Sequence, residues 1–258
     1  MFARAAQLAA VRRTLADGRP SIGSWIQLPG GSSAEVLGAA GYDWVGVDLE
    51  HGSIAVSQLP DIFRALELGD TLPLARIAVD DPTACKQALD AGAAGVIVPM
   101  IRSARQLAAV RDACRWPPAG RRGVGYSRAN LFGQRFDAYR TGEAQSPLLV
   151  AMIEDTQAVS NLDELLAVDG LDAIFIGPYD LSASLGCTGD FENPAFTATI
   201  AQILETCRRL GVPSGLHVVS PDAAQLSRRV REGYQFLAYS IDSVFLATSC
   251  ARPDWTQG

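Results

Sequence analysis

The sequence is almost without lysine. Lys86 is the only lysine among the 22 lysine and arginine residues. The surrounding pattern places it in a predicted helix over residues 82–91, not at a strand end. Lysine is the side chain that forms Schiff bases with carbonyl substrates and with pyridoxal phosphate. We therefore exclude lysine-dependent aldolases and pyridoxal enzymes, and the lack of a GxxxxGK[ST] motif excludes a Walker-type nucleotide site.

Histidine and cysteine are too few or too scattered for a zinc site. Only two histidines are present, so a zinc site of the three-histidine kind is excluded. The five cysteines are dispersed and form no CxxC pair. This arrangement indicates reduced thiols and predicts a cytoplasmic protein.

Long apolar runs and positive net charge are also missing. No apolar run approaches the ~20 residues that span a bilayer, so we expect no membrane partner. The formal net charge is −6. Nucleic-acid surfaces are basic, so we expect no nucleic-acid partner either.

What the sequence does contain is an alternation of short apolar strands with helices. Eight such units predict a parallel sheet closed into a single (β/α)₈ TIM-barrel domain over residues 1–258, with an N-terminal helix over 1–19 and a C-terminal helix and tail over 243–258. An open doubly wound sheet is the alternative. Against it, Gly123-Val124-Gly125 is the nearest match to a dinucleotide fingerprint, lacks the third glycine and follows no clear strand, so we expect no NAD. The predicted strands are 21–28, 43–49, 72–77, 95–100, 148–153, 172–177, 213–219 and 235–241.

The second strand ends in three ionisable residues, Asp48, Glu50 and His51. Asp48 could hold the imidazole of His51 in one tautomer and stabilise its cation, as a general base requires. The alternative is a strand end whose polar groups are simply solvated. The long segment over residues 116–147 interrupts the alternation, and loops of this length often have a function.

Carboxyl ends of barrel strands meet at one face, where catalytic groups of such barrels lie. Glu154 and Asp180 follow adjacent strands, and by elimination they are our candidate ligands for a hard divalent ion. Asp180 could instead be a helix cap, and Glu154 a surface residue. Arg76 could neutralise these carboxylates or hold a 2-oxo acid and stabilise an enolate oxygen. His217 stays unassigned between a core group and a site group.

Seven motifs occur in an order and spacing that resemble one known family, the HpcH/HpaI aldolases, over roughly residues 20–245. The resemblance implies a (β/α)₈ barrel of the phosphoenolpyruvate/pyruvate-binding type. It also implies cleavage of a 4-hydroxy-2-oxo acid to pyruvate and an aldehyde. The motifs are Asp43-Trp44, Asp48-Leu49-Glu50-His51, Pro73-Leu74-Ala75-Arg76, Val98-Pro99-Met100, Pro117-Pro118-Ala119-Gly120-Arg121-Arg122-Gly123, Met152-Ile153-Glu154 and Phe175-Ile176-Gly177-Pro178-Tyr179-Asp180-Leu181-Ser182.

The resemblance also implies roles for individual residues. Glu154 and Asp180 would bind Mg²⁺, Mn²⁺ or Co²⁺, Arg76 would stabilise the enolate, and His51 paired with Asp48 would act as the base. Backbone N–H groups near Tyr179 would hold the substrate carboxylate, beside Gly177 and Pro178. Relatives are commonly hexamers that exchange a C-terminal helix. Glu50, Asp90 (towards a neighbouring subunit's site), Arg128 and His217 are further possible site residues.

Three residues depart from the family pattern. Met152 stands where some relatives have glutamine, Tyr179 is bulkier than the alanine often found there, and His217 lies where several relatives are apolar. Two other activities stay open: a lyase acting on a CoA thioester of the citramalyl-CoA type and a decarboxylase of oxaloacetate. The CoA lyase would need a basic groove, for which the candidates are Arg121, Arg122 and Arg128. A scaffold without catalysis is a further alternative.

Overall fold

The structure is a computed structural model that describes residues 4–252. The predicted N-terminal helix and C-terminal tail also cover residues 1–3 and 253–258, and these parts lie outside the described residues. Within residues 4–252, no helix is both long and apolar enough to cross a bilayer.

Eight parallel strands close into a barrel in the order in which they occur along the chain. This confirms the predicted (β/α)₈ barrel, and the doubly wound alternative is wrong. The strands are buried on both faces, which explains their continuous apolar sequences. They are β1 (Ser21–Ile26), β2 (Trp44–Asp48), β3 (Leu72–Arg76), β4 (Gly95–Val98), β5 (Leu148–Ile153), β6 (Ala173–Ile176), β7 (Ser214–Val218) and β8 (Phe236–Ile241).

Helices surround the barrel, and side chains from the loops cap several of them. Asp81 accepts hydrogen bonds from the N–H groups of Thr83 and Ala84, and Pro82 occupies the first turn of the helix predicted over residues 82–91. The helices are α1 (Arg4–Ala16), α2 (Gly31–Ala39), α3 (Leu59–Leu68), α4 (Pro82–Ala91), α5 (Ala104–Cys114), α6 (Phe136–Thr141), α7 (Thr156–Ser160), α8 (Leu162–Leu166), α9 (Pro178–Ser184), α10 (Pro194–Leu210), α11 (Ala223–Glu232) and α12 (Asp242–Ser249).

Two short helices near the carboxyl ends of β5 and β6 were not predicted. The helix α7 begins after Asp155, whose side chain accepts a hydrogen bond from the N–H of Gln157. The helix α9 begins at Pro178, directly after the N-cap residue Gly177. Asp180 therefore lies within the first turn of α9, and its interpretation as the helix cap is wrong.

Large aromatic side chains fill the barrel interior. Trp44 stacks on Phe236 with ring centroids 4.2 Å apart, and Trp25 meets Phe175 edge to face at 5.8 Å. Gly46 on β2 makes room for Trp25, since a Cβ atom there would lie 2.6 Å from the indole. These rings close the barrel below the carboxyl ends of the strands.

Candidate active site

A cavity of about 220 Å³ opens at the carboxyl ends of the strands. It brings together most of the residues that the sequence singled out, although they are spread over five of the eight strand ends. The cavity is lined by Trp25, Gln27, Asp48, His51, Arg76, Met152, Glu154, Phe175, Ile176, Gly177, Pro178, Tyr179, Asp180, His217, Val219 and Ile241.

Asp48 and Arg76 form a two-pronged ion pair on one side of the cavity. They occupy paired positions of β2 and β3, and Arg76 Nε and Nη2 lie 2.9 and 2.6 Å from the two carboxylate oxygens. Burial alone would raise the pKa of Asp48. The hydrogen bonds and charge of Arg76 outweigh it, and the pKa lies below its usual range. Arg76 also lies over the Trp25 ring at 5.1 Å and within 3.4 Å of Glu50, so the guanidinium is held from three sides.

The predicted contact between the Asp48 carboxylate and the His51 imidazole is not formed. Asp48 instead accepts hydrogen bonds from the backbone N–H groups of Glu50 and His51, each at 3.1 Å. The carboxylate oxygens also accept hydrogen bonds from Arg76 and from the Gln27 amide, which donates at 2.9 Å. Asp48 therefore fixes the backbone of the loop that carries His51, and the exposed imidazole lies at the mouth of the cavity.

Glu154 is a buried carboxylate, with only 4% of the residue exposed. Burial raises its pKa to about 7, and the nearby negative charges of Glu50 and Asp180 act in the same direction, although the Met100 N–H donates to Oε2 at 2.9 Å. Gly177 leaves space for this carboxylate, since a Cβ atom there would lie 2.4 Å from Oε1.

Asp180 is exposed in the first turn of α9, on the strand end next to Glu154. Tyr179 beside it has 60% of its surface exposed, and its ring packs edge to face on Phe191 at 5.1 Å. The bulky ring therefore packs against Phe191, and Tyr179 remains part of the cavity lining.

The two carboxylates, Glu154 and Asp180, fit a hard divalent ion. Within residues 4–252, no group of three or more histidine, cysteine, aspartate and glutamate side chains is arranged to hold a metal. An ion held by two carboxylates has coordination positions left for water and for substrate oxygens. The raised pKa of Glu154 points the same way, because a buried carboxylate beside other negative charges is stabilised by a cation.

His217 belongs to the cavity, although the sequence left its role open. Its Nε2 lies 3.1 Å from the carbonyl oxygen of Ser240. Burial lowers the pKa of the imidazole to about 4, so the ring is neutral at neutral pH.

Three of the possible site residues lie outside the cavity lining. Glu50 is half-buried behind Arg76, where burial raises its pKa. Asp90 is half-buried on α4; burial raises its pKa, while Arg122 and Lys86 act against the rise. Arg128 is buried and forms an ion pair with Glu67.

The basic groove expected for a CoA substrate is not formed. Arg122 is buried and donates to the Tyr139 hydroxyl at 2.7 Å, and Arg128 is buried as described above. Of the three candidate arginines only Arg121 is exposed, and it lies 3.7 Å from Asp112. Two of the three candidate arginines are therefore not on the surface, where CoA phosphates would need them.

Sequence reasoning missed Gln27, which connects the cavity to α12. Its side chain donates to Asp48 and accepts from the Ser243 hydroxyl at 3.1 Å. The Asp242 carboxylate in turn accepts from the backbone N–H groups of Gln27 and Leu28 at 2.8 and 3.1 Å. A polar residue directly after an apolar strand is the signal that pointed to the other strand ends, and it applies to Gln27 as well.

A closed parallel barrel with carboxylates, an arginine and a histidine at its carboxyl-terminal mouth defines the class: an enzyme of the TIM-barrel type. The HpcH/HpaI aldolase/citrate lyase family model matches residues 21–249, and the chain belongs to this family. The expected carbon–carbon lyase activity of the aldolase type is confirmed by the named relatives.

Two of these relatives match nearly end to end. A hydroxypyruvate/pyruvate aldolase of Roseobacter denitrificans is 37% identical over 98% of this chain and 99% of its own length. A 4-hydroxy-2-oxovalerate aldolase of Rhodococcus jostii is 38% identical over 92% of this chain and 91% of its own length. The crystal structure of an HpcH/HpaI aldolase/citrate lyase family protein from Burkholderia cenocepacia superposes with a TM-score of 0.87 at 32% identity, covering 93% and 96% of the two chains.

Proposed function

We propose that the protein is a divalent-metal-dependent aldolase that cleaves and forms 4-hydroxy-2-oxo acids, with pyruvate or a related 2-oxo acid as the nucleophile. The observation that carries the proposal is the single cavity that holds Glu154, Asp180, the Arg76–Asp48 pair and His51. The names of the relatives support it, since they are aldolases of pyruvate, hydroxypyruvate and 4-hydroxy-2-oxovalerate.

Glu154 and Asp180 would hold Mg²⁺, Mn²⁺ or Co²⁺. Such an ion supplies Lewis acidity for a bound 2-oxo acid. Cleavage beside a carbonyl leaves a negative charge on the oxo oxygen, and the chain has no lysine in the cavity to disperse it as an iminium. Arg76 is the fixed cation of the cavity, and its guanidinium stabilises that charge.

His51 is positioned for proton transfer with the substrate 4-hydroxyl. It is exposed at the cavity mouth, where an aldehyde enters and leaves. Asp48 fixes its backbone, as described above, so it acts on His51 through the loop and not through the ring. We propose that the N–H groups of Tyr179 and Asp180 in the first turn of α9 donate hydrogen bonds to the substrate carboxylate. First-turn N–H groups have no acceptor within their own helix.

Assembly and location belong to the same proposal. The helix α12 packs against β1 and β8, and Leu246 on it is exposed. We propose a homo-oligomer, a hexamer built as a trimer of dimers, in which this helix contacts a neighbouring subunit and Asp90 faces the neighbour's cavity. The dispersed thiols support a cytoplasmic location.

Decarboxylation of oxaloacetate is an expected side activity, because it forms the same pyruvate enolate. A lyase acting on a CoA thioester would need a basic groove on the surface, and two of its three candidate arginines, Arg122 and Arg128, are buried. It is therefore the weaker candidate.

Deuterium exchange tests the proposal. Metal-stripped protein is incubated with pyruvate in D₂O, with and without Mg²⁺, Mn²⁺ or Co²⁺, and samples are quenched with excess chelator before proton NMR. We expect loss of the methyl signal only when metal is present. Absence of exchange with every metal, in protein shown to bind metal, would mean that pyruvate is not the nucleophile.

A further inference from the structure

The floor of the cavity is formed by Trp25, Met152, Phe175 and His217. Each lies two residues before the cavity residue at its own strand end, as Met152 does relative to Glu154, so each points inward one layer deeper in the barrel. Trp25 contacts Phe175 and His217, with ring centroids 5.8 and 6.2 Å apart. Tryptophan offers only a donor, and a thioether is a weak acceptor. The imidazole is therefore the one strong hydrogen-bond acceptor of this floor.

The hydrogen bond to Ser240 fixes which nitrogen of His217 accepts. A carbonyl oxygen can only accept, so the imidazole nitrogen 3.1 Å from it, Nε2, carries the proton. Ser24 Oγ lies within 3.3 Å of the same oxygen. A neutral imidazole has a single N–H, which leaves Nδ1 as an acceptor. Among residues 4–252, Nδ1 has no hydrogen-bond partner, and the side chain lines the cavity.

We infer that His217 selects a hydroxylated nucleophile, a 3-hydroxy-2-oxo acid, by accepting a hydrogen bond from its C3 hydroxyl at Nδ1. The inference rests on the proposed function, because it assumes that the carboxylate of the acid lies at the N–H groups of Tyr179 and Asp180 and its oxo oxygen near Arg76. The remaining carbon, C3, then faces the floor. The aldehyde, in contrast, arrives from the mouth, where His51 and Tyr179 are exposed.

The preference follows from what pyruvate leaves unpaired. A methyl group against Nδ1 removes the acceptor from water without giving it a donor, whereas a hydroxyl satisfies it. The hydroxyl takes no part in the bond changes. Removal of a C3 proton to solvent breaks one C–H bond, whose electron pair forms the second C2–C3 bond while the carbonyl electron pair moves to the C2 oxygen. When these electrons return, C3 takes a proton or deuteron from solvent. The group thus contributes to recognition of the acid while the carbon chemistry is that of the proposed function.

Two measurements test the inference. The first is a ¹⁵N NMR spectrum of protein labelled at histidine, which contains only the imidazoles of His51 and His217. It reports the tautomer without any metal or substrate, and His217→Asn assigns the signals. The second compares kcat/KM for C3 exchange in D₂O with hydroxypyruvate and with pyruvate, in Mg²⁺-loaded wild type, His217→Leu and His217→Asn, with enzyme-free rates subtracted.

We expect a proton on Nε2 and a free Nδ1 in His217. The ratio of kcat/KM for hydroxypyruvate to that for pyruvate should fall about tenfold in His217→Leu, as for one lost hydrogen bond. It should recover in part in His217→Asn, whose Oδ1 can accept near the Nδ1 position. A proton on Nδ1, or an unchanged ratio in His217→Leu, overturns the inference and leaves the aldolase proposal standing. Exchange of neither acid by wild type overturns the proposed function, and the inference with it.

Discussion

At the scale of single residues, Glu154 makes the metal-free protein sensitive to pH. Its pKa is about 7 in the folded protein and 4.5 in a model peptide. Between these values the folded chain retains a proton that the unfolded chain has lost. The free energy of unfolding therefore falls as the pH rises from about 5 to about 7, by about 3 kcal/mol.

Urea unfolding of metal-free protein between pH 5 and pH 8 measures this dependence. Glu154→Gln carries no titrating carboxyl, so its unfolding free energy should be flatter over the same range. Added Mg²⁺ should restore stability at pH 8, because the ionised carboxylate then has a cation beside it. An equal slope in wild type and Glu154→Gln would assign the pH dependence to another group.

A methyl group at Gly177 should weaken metal binding. The Cβ atom of Gly177→Ala would lie 2.4 Å from Glu154 Oε1, so the carboxylate has to move. We expect the affinity for Mn²⁺, measured by calorimetry, to fall at least about tenfold, since ligand geometry sets binding in such sites. Gly125→Ala is the matched control: it places its Cβ in open space and should bind Mn²⁺ as wild type does.

The site residues show which part of this chemistry a sequence can predict. Glu154, Asp180 and Arg76 could be predicted to lie in one cavity because the carboxyl ends of barrel strands converge, which is a property of the fold. The contact between Asp48 and the His51 ring was wrong, because the forked guanidinium of Arg76 competes for the same two oxygens. Which of several neighbouring donors a carboxylate binds depends on side-chain geometry. The spacing of residues along the chain does not give that geometry.

At the scale of secondary structure, the beginning of α12 holds the end of β1 in place. The buried Asp242 carboxylate accepts hydrogen bonds from three backbone N–H groups, those of Gln27, Leu28 and Ser243. Asp242→Ala removes all three acceptors at once. We expect a loss of about 2–3 kcal/mol in the free energy of unfolding, since hydrogen bonds to charged groups are among the stronger ones.

The same substitution should also reduce aldol activity, because Gln27 holds Asp48. The comparison is Ser243→Ala, which removes only the hydroxyl that donates to Gln27 Oε1 and should have a smaller effect on stability. Chemical denaturation and steady-state cleavage rates of the two variants provide the test. Equal stability of Asp242→Ala and wild type would contradict the assigned role.

The long helices could be predicted because proline, aspartate and glycine mark their ends, as they do at α4. The short helices α7 and α9 could not, because five to seven residues carry too little apolar periodicity to be recognised. Both lie directly after strands that carry metal-site candidates. Local backbone geometry at the cavity therefore depends on the fold as a whole.

At the scale of the whole molecule, a buried charge cluster ties α1 to the segment that follows α5. Glu67 lies between Arg4 and Arg128, and Arg4 also pairs with Glu143. Glu67→Gln leaves two buried guanidinium groups without a counter-charge at this position. We expect the free energy of unfolding to fall by about 3 kcal/mol. The rate at which each folded molecule exchanges the pyruvate methyl protons should not change, because the cluster lies outside the cavity.

Thermal unfolding and exchange rates of Glu67→Gln measure the two effects separately. Arg208→Gln is a suitable control, since it breaks an exposed pair with Glu205 and should change stability little. A comparable loss in both variants would mean that burial of the cluster adds nothing. The sequence predicted a barrel from its eight units, but not this cluster, whose partners lie more than 60 residues apart along the chain.

The aromatic side chains that fill the barrel interior have a kinetic consequence. Because Trp25, Trp44, Phe175 and Phe236 fill the barrel below the cavity, molecules cannot enter or leave through the barrel interior. Our proposal places the 2-oxo acid in the deeper position, so we expect it to bind first in synthesis and to leave last in cleavage. Initial-rate measurements of cleavage should show competitive inhibition by pyruvate and noncompetitive inhibition by the aldehyde. The reverse pattern would mean that the acid departs while the aldehyde is still bound, which contradicts the deeper position that we propose for the acid.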